Sequence, residues 1–362
     1  MLKPRNAVSA IPPYHPPLAG REGLRLDFNE NTVGCSPRVL DRLRSLGPDD
    51  LARYPERQPI EAAVAKFLGV SDSELLLTNG VDEAIHLLCQ TYLASGDEAL
   101  IVVPTYSMYR IYMSAAGAQV ISIPAGPEFD FPLDAVRASI TGRTRLIAIA
   151  NPNNPTGTFT PVEQFLEIAR SAPAAAILID EAYLEFCGKT FLPQRRECPN
   201  VFITRTFSKA YGLAGLRIGV LIGDTGQMPS LRRVCSPYNV NAVALACLPE
   251  ALADQNYIEQ YVTETLQSRA RLQSILATRG IIFWPSQANF VLARIGSTKS
   301  DSQAFVDQMR QRGILVRDRS SDHACEGCVR FTLGTAEHTH RLLTALDEVL
   351  EELSISQGAS SS

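Results

Sequence analysis

Several things are missing from this chain, and each absence narrows its class. No apolar run among the 362 residues reaches the length of a membrane span. No basic stripe accompanies the net charge of −4, so nucleic acid is not an expected partner. The glycine fingerprint G-x-G-x-x-G of dinucleotide-binding folds is absent, which argues against a nicotinamide dehydrogenase. The first twenty residues, MLKPRNAVSAIPPYHPPLAG, are broken by proline and lack the apolar centre of a secretory signal. A cytoplasmic protein is the expectation. Among the eight cysteines only CEGC (325–328) is a close pair. Zinc would need a second pair, so no metal is expected, and reduced loop thiols are the plain reading.

What remains is ordinary for a globular protein: 45% hydrophobic and 20% charged residues, in a chain too long for one small core. Residues 1–20 read as an extended arm and 354–362 as a disordered tail. RLDFNEN (25–31) reads as a short strand and turn. Apolar runs at 99–104, 118–124, 145–152, 175–183, 201–208 and 217–223 alternate with helical stretches. Continuous apolar strands between helices imply α/β architecture: a mostly parallel central sheet sandwiched by helices. After about residue 245 the rhythm changes. A long helix (255–279), strands at 289–295, 314–318 and 329–334, and helices at 302–313 and 338–353 suggest a smaller α+β domain. The expected division is a large domain at 39–244 and a small one from 21–38 and 245–353.

Ligands of open α/β sheets sit outside the carboxyl ends of the strands. There the sequence places Tyr106 after one strand, NPNNPTG (151–157) after another, DEAY (180–183) after a third and TFSK (206–209) after a fourth. Asp180 can keep a pyridine nitrogen protonated. Asn154 and Tyr183 can donate to a phenolic oxygen. Tyr106 offers a stacking face, and Lys209 offers an amine for an aldehyde. Thr206, Ser208, Arg217 and the turn at Gly80, Val81 and Asp82 suit a phosphate. Taken singly, each has a plainer reading. Asp180 could be a helix cap, NPNNPTG only a turn, Tyr106 core packing, and Lys209 a solvated charge. Together they match one cofactor, pyridoxal 5'-phosphate.

NPNNPTG, DEAY and SKAYGLAGLRIG (208–219), in this order, resemble the fold-type I aminotransferases. LDFNEN (26–31), RYPERQ (53–58), SPYNVN (236–241), LVRD (315–318) and VRFTLGT (329–335) resemble the histidinol-phosphate aminotransferase group within class II. The resemblance spans roughly residues 24 to 350. It implies a homodimer with shared active sites, in which Tyr54 reaches the partner's cofactor phosphate. It implies that Lys209 carries the cofactor and later shuttles a proton, with Asp180 and Tyr183 beside it. Small residues after Lys209 would let the backbone approach the cofactor. Arg317 and Arg330 become the contacts for substrate anions, and Tyr14 and Asn29 become substrate-lining residues. The plainer readings are a turn for Asn29 and a surface ion pair with Asp318 for Arg317.

The implied reaction exchanges an amino group between L-histidinol phosphate and 2-oxoglutarate, giving imidazole-acetol phosphate and L-glutamate in histidine biosynthesis. An aromatic amino acid aminotransferase shares this chemistry and differs in a few pocket contacts. A threonine-phosphate decarboxylase is a further alternative.

Overall fold

The computed structural model describes residues 2–14 and 20–359, with side chains to Leu353. Met1 and 15–19 of the expected arm, and 360–362 of the expected tail, lie outside the described residues. Thirteen strands are present among them: β1 (Leu24–Arg25), β2 (Leu75–Thr78), β3 (Glu98–Val103), β4 (Gln119–Pro124), β5 (Thr144–Ala150), β6 (Ala176–Asp180), β7 (Val201–Thr206), β8 (Gly219–Ile222), β9 (Phe283–Trp284), β10 (Phe290–Arg294), β11 (Ile314–Leu315), β12 (Arg317–Asp318) and β13 (Cys328–Thr332).

Strands β2 to β8 form one seven-stranded sheet in the order β2-β8-β7-β6-β5-β3-β4. β8 is antiparallel to both its neighbours, and the other pairings are parallel. Successive side chains of a strand point to opposite faces. Ile177 and Ile179 of β6 accordingly enter one apolar core, and Ala176 and Leu178 enter another. Burial on both faces is why these strands are apolar throughout. β2 has no counterpart among the expected strands. Its four residues are too few for a periodic signal, and a helix (Gly80–Tyr92) follows almost at once.

The second unit has a four-stranded antiparallel sheet, β12-β13-β10-β9, and the parallel pair β1-β11. The single strand expected at 314–318 is therefore two strands in two sheets. Of the strand expected at 25–31, only its first residue lies in the ladder. The helix Gln255–Thr278 joins the units: Ile258 and Tyr261 pack in the core of the large sheet, and Leu272 and Leu276 in that of the small one. The boundary expected at 245 falls inside the helix Ala242–Ala253, whose Ala244, Leu245, Leu248 and Leu252 belong to the large core. We propose that the seam lies at Asp254, between the two helices. The closing helix runs Ala336–Ala359, so the first six residues of the expected tail are helical. Extending an established helix needs no new nucleus.

This topology assembles the site. Parallel strands bring the carboxyl ends of β3, β5, β6 and β7 to one rim. β8 runs the other way, so its amino-terminal end reaches the same rim; Gly219 pairs with both Thr206 and Thr78. Arg217 precedes that end.

Candidate active site

A cavity of about 320 Å³ opens at this rim, between the two sheets. Tyr14, Asn29, Val81, Asp82, Tyr106, Asn154, Asp180, Tyr183, Thr206, Ser208, Lys209, Arg217, Arg317 and Arg330 all line it. Two expected residues do not. Gly80 lies behind Arg217 instead. Tyr54 is 77% exposed and stacks on Tyr238 with ring centroids 4.1 Å apart.

Lys209 is partly buried and donates from Nζ to the Phe28 carbonyl at 3.0 Å. Burial is the largest influence on its amine, and repulsion from Arg330 and Arg217 adds to it, against attraction from Glu30 and Asp82. The amine is lowered to about 8. A substantial neutral fraction near neutrality suits a nucleophile or proton carrier.

Asp180 ends β6 and is 4% exposed. Burial raises its carboxyl to about 6, against hydrogen bonds that favour the ion. Those bonds come from Tyr109 Oη (2.6 Å), Thr204 Oγ1 (3.0 Å) and the Ala182 amide (3.2 Å). The Ala182 bond closes a local turn; the helix that follows, Leu184–Cys187, has Tyr183 at its N-cap and no side-chain capping bond, so Asp180 is not the helix cap of the plainer reading. A buried carboxylate with no arginine or lysine bonded to it is well matched to a cationic ligand group.

Tyr183 Oη accepts from Asn29 Nδ2 at 2.9 Å, which leaves its own proton to donate. Burial raises this phenol, so it stays protonated. Asn154 Oδ1 accepts from Arg330 Nη1, which orients the amide and leaves Nδ2 as a donor. The rest of NPNNPTG is the turn its composition suggests, closed by Gly157 N donating to Asn153 O at 2.7 Å.

A group of polar side chains gathers around Ser208 and Arg217 on the cavity wall. The buried Ser208 Oγ has no hydrogen-bond partner among the described residues. Thr206 Oγ1 accepts from the Ser208 amide. Arg217 pairs with Asp82 Oδ2 at 3.0 Å, and Tyr106 Oη donates to Asp82 Oδ1 at 2.8 Å. An orphaned buried hydroxyl and a guanidinium that line the same cavity fit a phosphate. Pyridoxal phosphate therefore fits the residues present: amine, acid, phenol and amide donors, and a phosphate cradle share one cavity. The small residues after Lys209 divide in role. Ala214 lines the cavity, but Gly212 does not; its φ of +69° and its closeness to Gly34 O are what demand glycine there.

Arg330 of β13, 4% exposed, also donates from Nη2 to Asp27 O at 2.6 Å. Burial, then repulsion from Arg319, lowers it to about 9, so it is still charged at neutral pH. Arg317 stands over the Phe28 ring at 5.3 Å. Asp318 accepts from Ser302 and Ser320 and is not Arg317's partner. Asn29 has a φ of 56° and lines the cavity, so its turn role and its lining role are both realised.

Tyr109, Phe28, Glu30 and Arg319 also line the cavity and were not singled out from sequence. Two signals were available. Tyr109 lies one helical turn after Tyr106, and Arg319 lies two residues after Arg317, on the same side of an extended chain. Among the described residues there is no cluster of acidic, His and Cys side chains able to hold a metal. No helix there is long and apolar enough to cross a membrane.

The pattern of the family described as aminotransferase class I and II matches residues 21–346. A histidinol-phosphate aminotransferase of Dinoroseobacter shibae is 35% identical over 357 residues, covering 95% of this chain and 97% of its own. One from Lactiplantibacillus plantarum is 31% identical, covering 95% and 99%. The solved structure of histidinol-phosphate aminotransferase from Sinorhizobium meliloti, in complex with pyridoxal-5'-phosphate, superposes with a TM-score of 0.89 at 26% identity, covering 98% of this chain and 99% of that one.

Proposed function

The chain belongs to the class I and II aminotransferases, enzymes of fold type I that depend on pyridoxal phosphate, and from that premise we propose that its amino donor is L-histidinol phosphate and its acceptor 2-oxoglutarate. The observation that carries the donor assignment is the pair Arg317 and Arg330, cross-strand partners that line the cavity from a different sheet than the phosphate cradle. The cradle serves the cofactor. The arginine pair gives a second anion site, which a phosphorylated amine or a dicarboxylate can occupy in turn. The names of the two relatives support the same donor.

Bound cofactor supplies an aldehyde that condenses with amines and a cationic ring that takes up electrons. The remaining work belongs to the chain. Lys209 Nζ would hold the aldehyde and, when free, carry the Cα proton of the donor. Asp180 would keep the ring nitrogen protonated. Tyr183 and Asn154 would donate to the ring oxygen, and Tyr106 would cover the ring. Ser208, Thr206, Arg217, Val81, Asp82 and Gly80 shape the phosphate end. Tyr14 and Asn29 border the substrate.

We infer a homodimer, in which the exposed Tyr54 serves the partner's cofactor phosphate. Eight free thiols suit a reducing cytoplasm.

The test mixes cofactor-loaded enzyme with L-histidinol phosphate or L-phenylalanine and follows the visible absorbance over one half-reaction. Faster conversion by histidinol phosphate is expected. Faster conversion by phenylalanine would overturn the donor assignment in favour of an aromatic aminotransferase.

A further inference from the structure

β12 and β13 carry more positive charge into the cavity than a carboxylate needs. Arg317 and Arg330 are direct partners across the antiparallel ladder. The ladder continues one step, because the Arg319 amide donates to Cys328 O at 2.9 Å. Arg319 lies two residues from Arg317, so the pleat returns it to the same side, and it also lines the cavity. Its guanidinium pairs with Asp322, and its buried Nε has no partner among the described residues; Arg330 Nε is in the same condition.

Few acids offset these charges. Glu30 lines the cavity but is bound by Arg21 and Arg25. Asp318 is bound by two serines. Asp322 is the carboxylate paired within this group. Three guanidiniums and one carboxylate leave a net charge near +2. A phosphate monoester carries about −1.5 to −2 near neutral pH, whereas a carboxylate carries one negative charge.

The unusual CEGC segment has a place in this arrangement. Successive backbone bonds, Asp322 N to Arg319 O, Cys325 N to Asp322 O and Cys328 N to Cys325 O, fold residues 319–328 into a closed loop. Cys325 and Cys328 are buried beside Trp284 and Phe129. They anchor the loop that holds Asp322 against Arg319.

We propose that Arg319 is a specificity-determining residue that makes the cavity prefer a phosphate dianion to a carboxylate. This rests on the reading that the donor is phosphorylated, and its test is arranged to separate the two. The holoenzyme is converted by L-glutamate, with inorganic phosphate or acetate as competing anion, and the ratio of their inhibition constants is measured. Wild type is expected to bind phosphate at least about tenfold tighter than acetate. R319Q/D322N removes both members of the ion pair, so no buried charge is stranded; its ratio is expected to fall about fivefold or more. R319K retains the charge and is expected to keep most of the preference. An unchanged ratio in both variants, or no phosphate preference in wild type, overturns the proposal. Loss of the preference in R319Q/D322N, in an enzyme whose wild type does not convert histidinol phosphate, would leave Arg319 assigned and remove only the donor.

Discussion

Gly80 stands directly behind the guanidinium of Arg217: a Cβ built on it would lie 2.5 Å from Nη2, and its φ is +73°. Gly80→Ala should therefore strain the backbone and displace the arginine together. We expect cofactor affinity to fall about tenfold to a hundredfold, since the bidentate fork cannot be kept in place. Gly69→Ala, at a φ of +69° with nothing within 4 Å, is the control for backbone strain alone. Equilibrium titration of apoprotein with pyridoxal phosphate measures both. Equal affinities for the two variants would show that Arg217 does not hold the phosphate.

Lys209→Ala should lower turnover on the order of 10⁴-fold and should not unfold the chain, because it removes a partly buried amine. Borohydride reduction of the wild-type holoenzyme should add the mass of the cofactor to the peptide containing Lys209; the variant should gain none. The lowering of this amine to about 8 also sets a pH dependence. Incorporation of cofactor into apoprotein should accelerate from pH 7 to pH 9 as the neutral amine accumulates. A flat profile would contradict it.

Asp180→Asn should separate stability from function. The folded carboxyl is raised to about 6 from an ordinary value of 3.8, chiefly by burial. Between those values the folded state binds more protons than the unfolded one, so apoprotein stability falls as pH rises from about 4 to about 6 and stays reduced above. The variant lacks this loss. Its apoprotein should exceed wild type at pH 8 by on the order of 2 kcal/mol, with the gain vanishing near pH 4, while turnover drops roughly 10²- to 10⁴-fold. Chemical denaturation at the two pH values and steady-state kinetics test the two halves.

Shared active sites make a sharper claim than dimerisation. If Tyr54 of one protomer completes the site built on Lys209 of the other, each of Lys209→Ala and Tyr54→Ala is impaired by itself. Mixed dimers of the two variants contain one intact site. Random reassociation should restore about a quarter of wild-type activity, since half the dimers are mixed and each has one working site of two. Recovery no greater than the sum of the parents would place Tyr54 outside the site.

The sequence by itself determined the rim of the large sheet. β6, β7 and their neighbours are short apolar runs with polar ends, and in a parallel sheet every such end faces one way. Asp180, Asn154, Tyr183, Ser208 and Lys209 could be read together for that reason alone. What only the tertiary structure decided depends on contacts distant in sequence. Tyr109 bonds Asp180 from 71 residues away. Gly80 owes its identity to Arg217, which local sequence cannot reveal. Arg319 acquires meaning only because β12 pairs with β13 and sets it beside Arg317 and Arg330. The division of 314–318 between two sheets was equally hidden, because a five-residue strand pattern, three apolar residues and then Arg317 and Asp318, carries no mark of which partner each half will meet. Periodicity encodes which face of an element is buried; the choice of what it is buried against is made by packing, over separations that no local pattern spans.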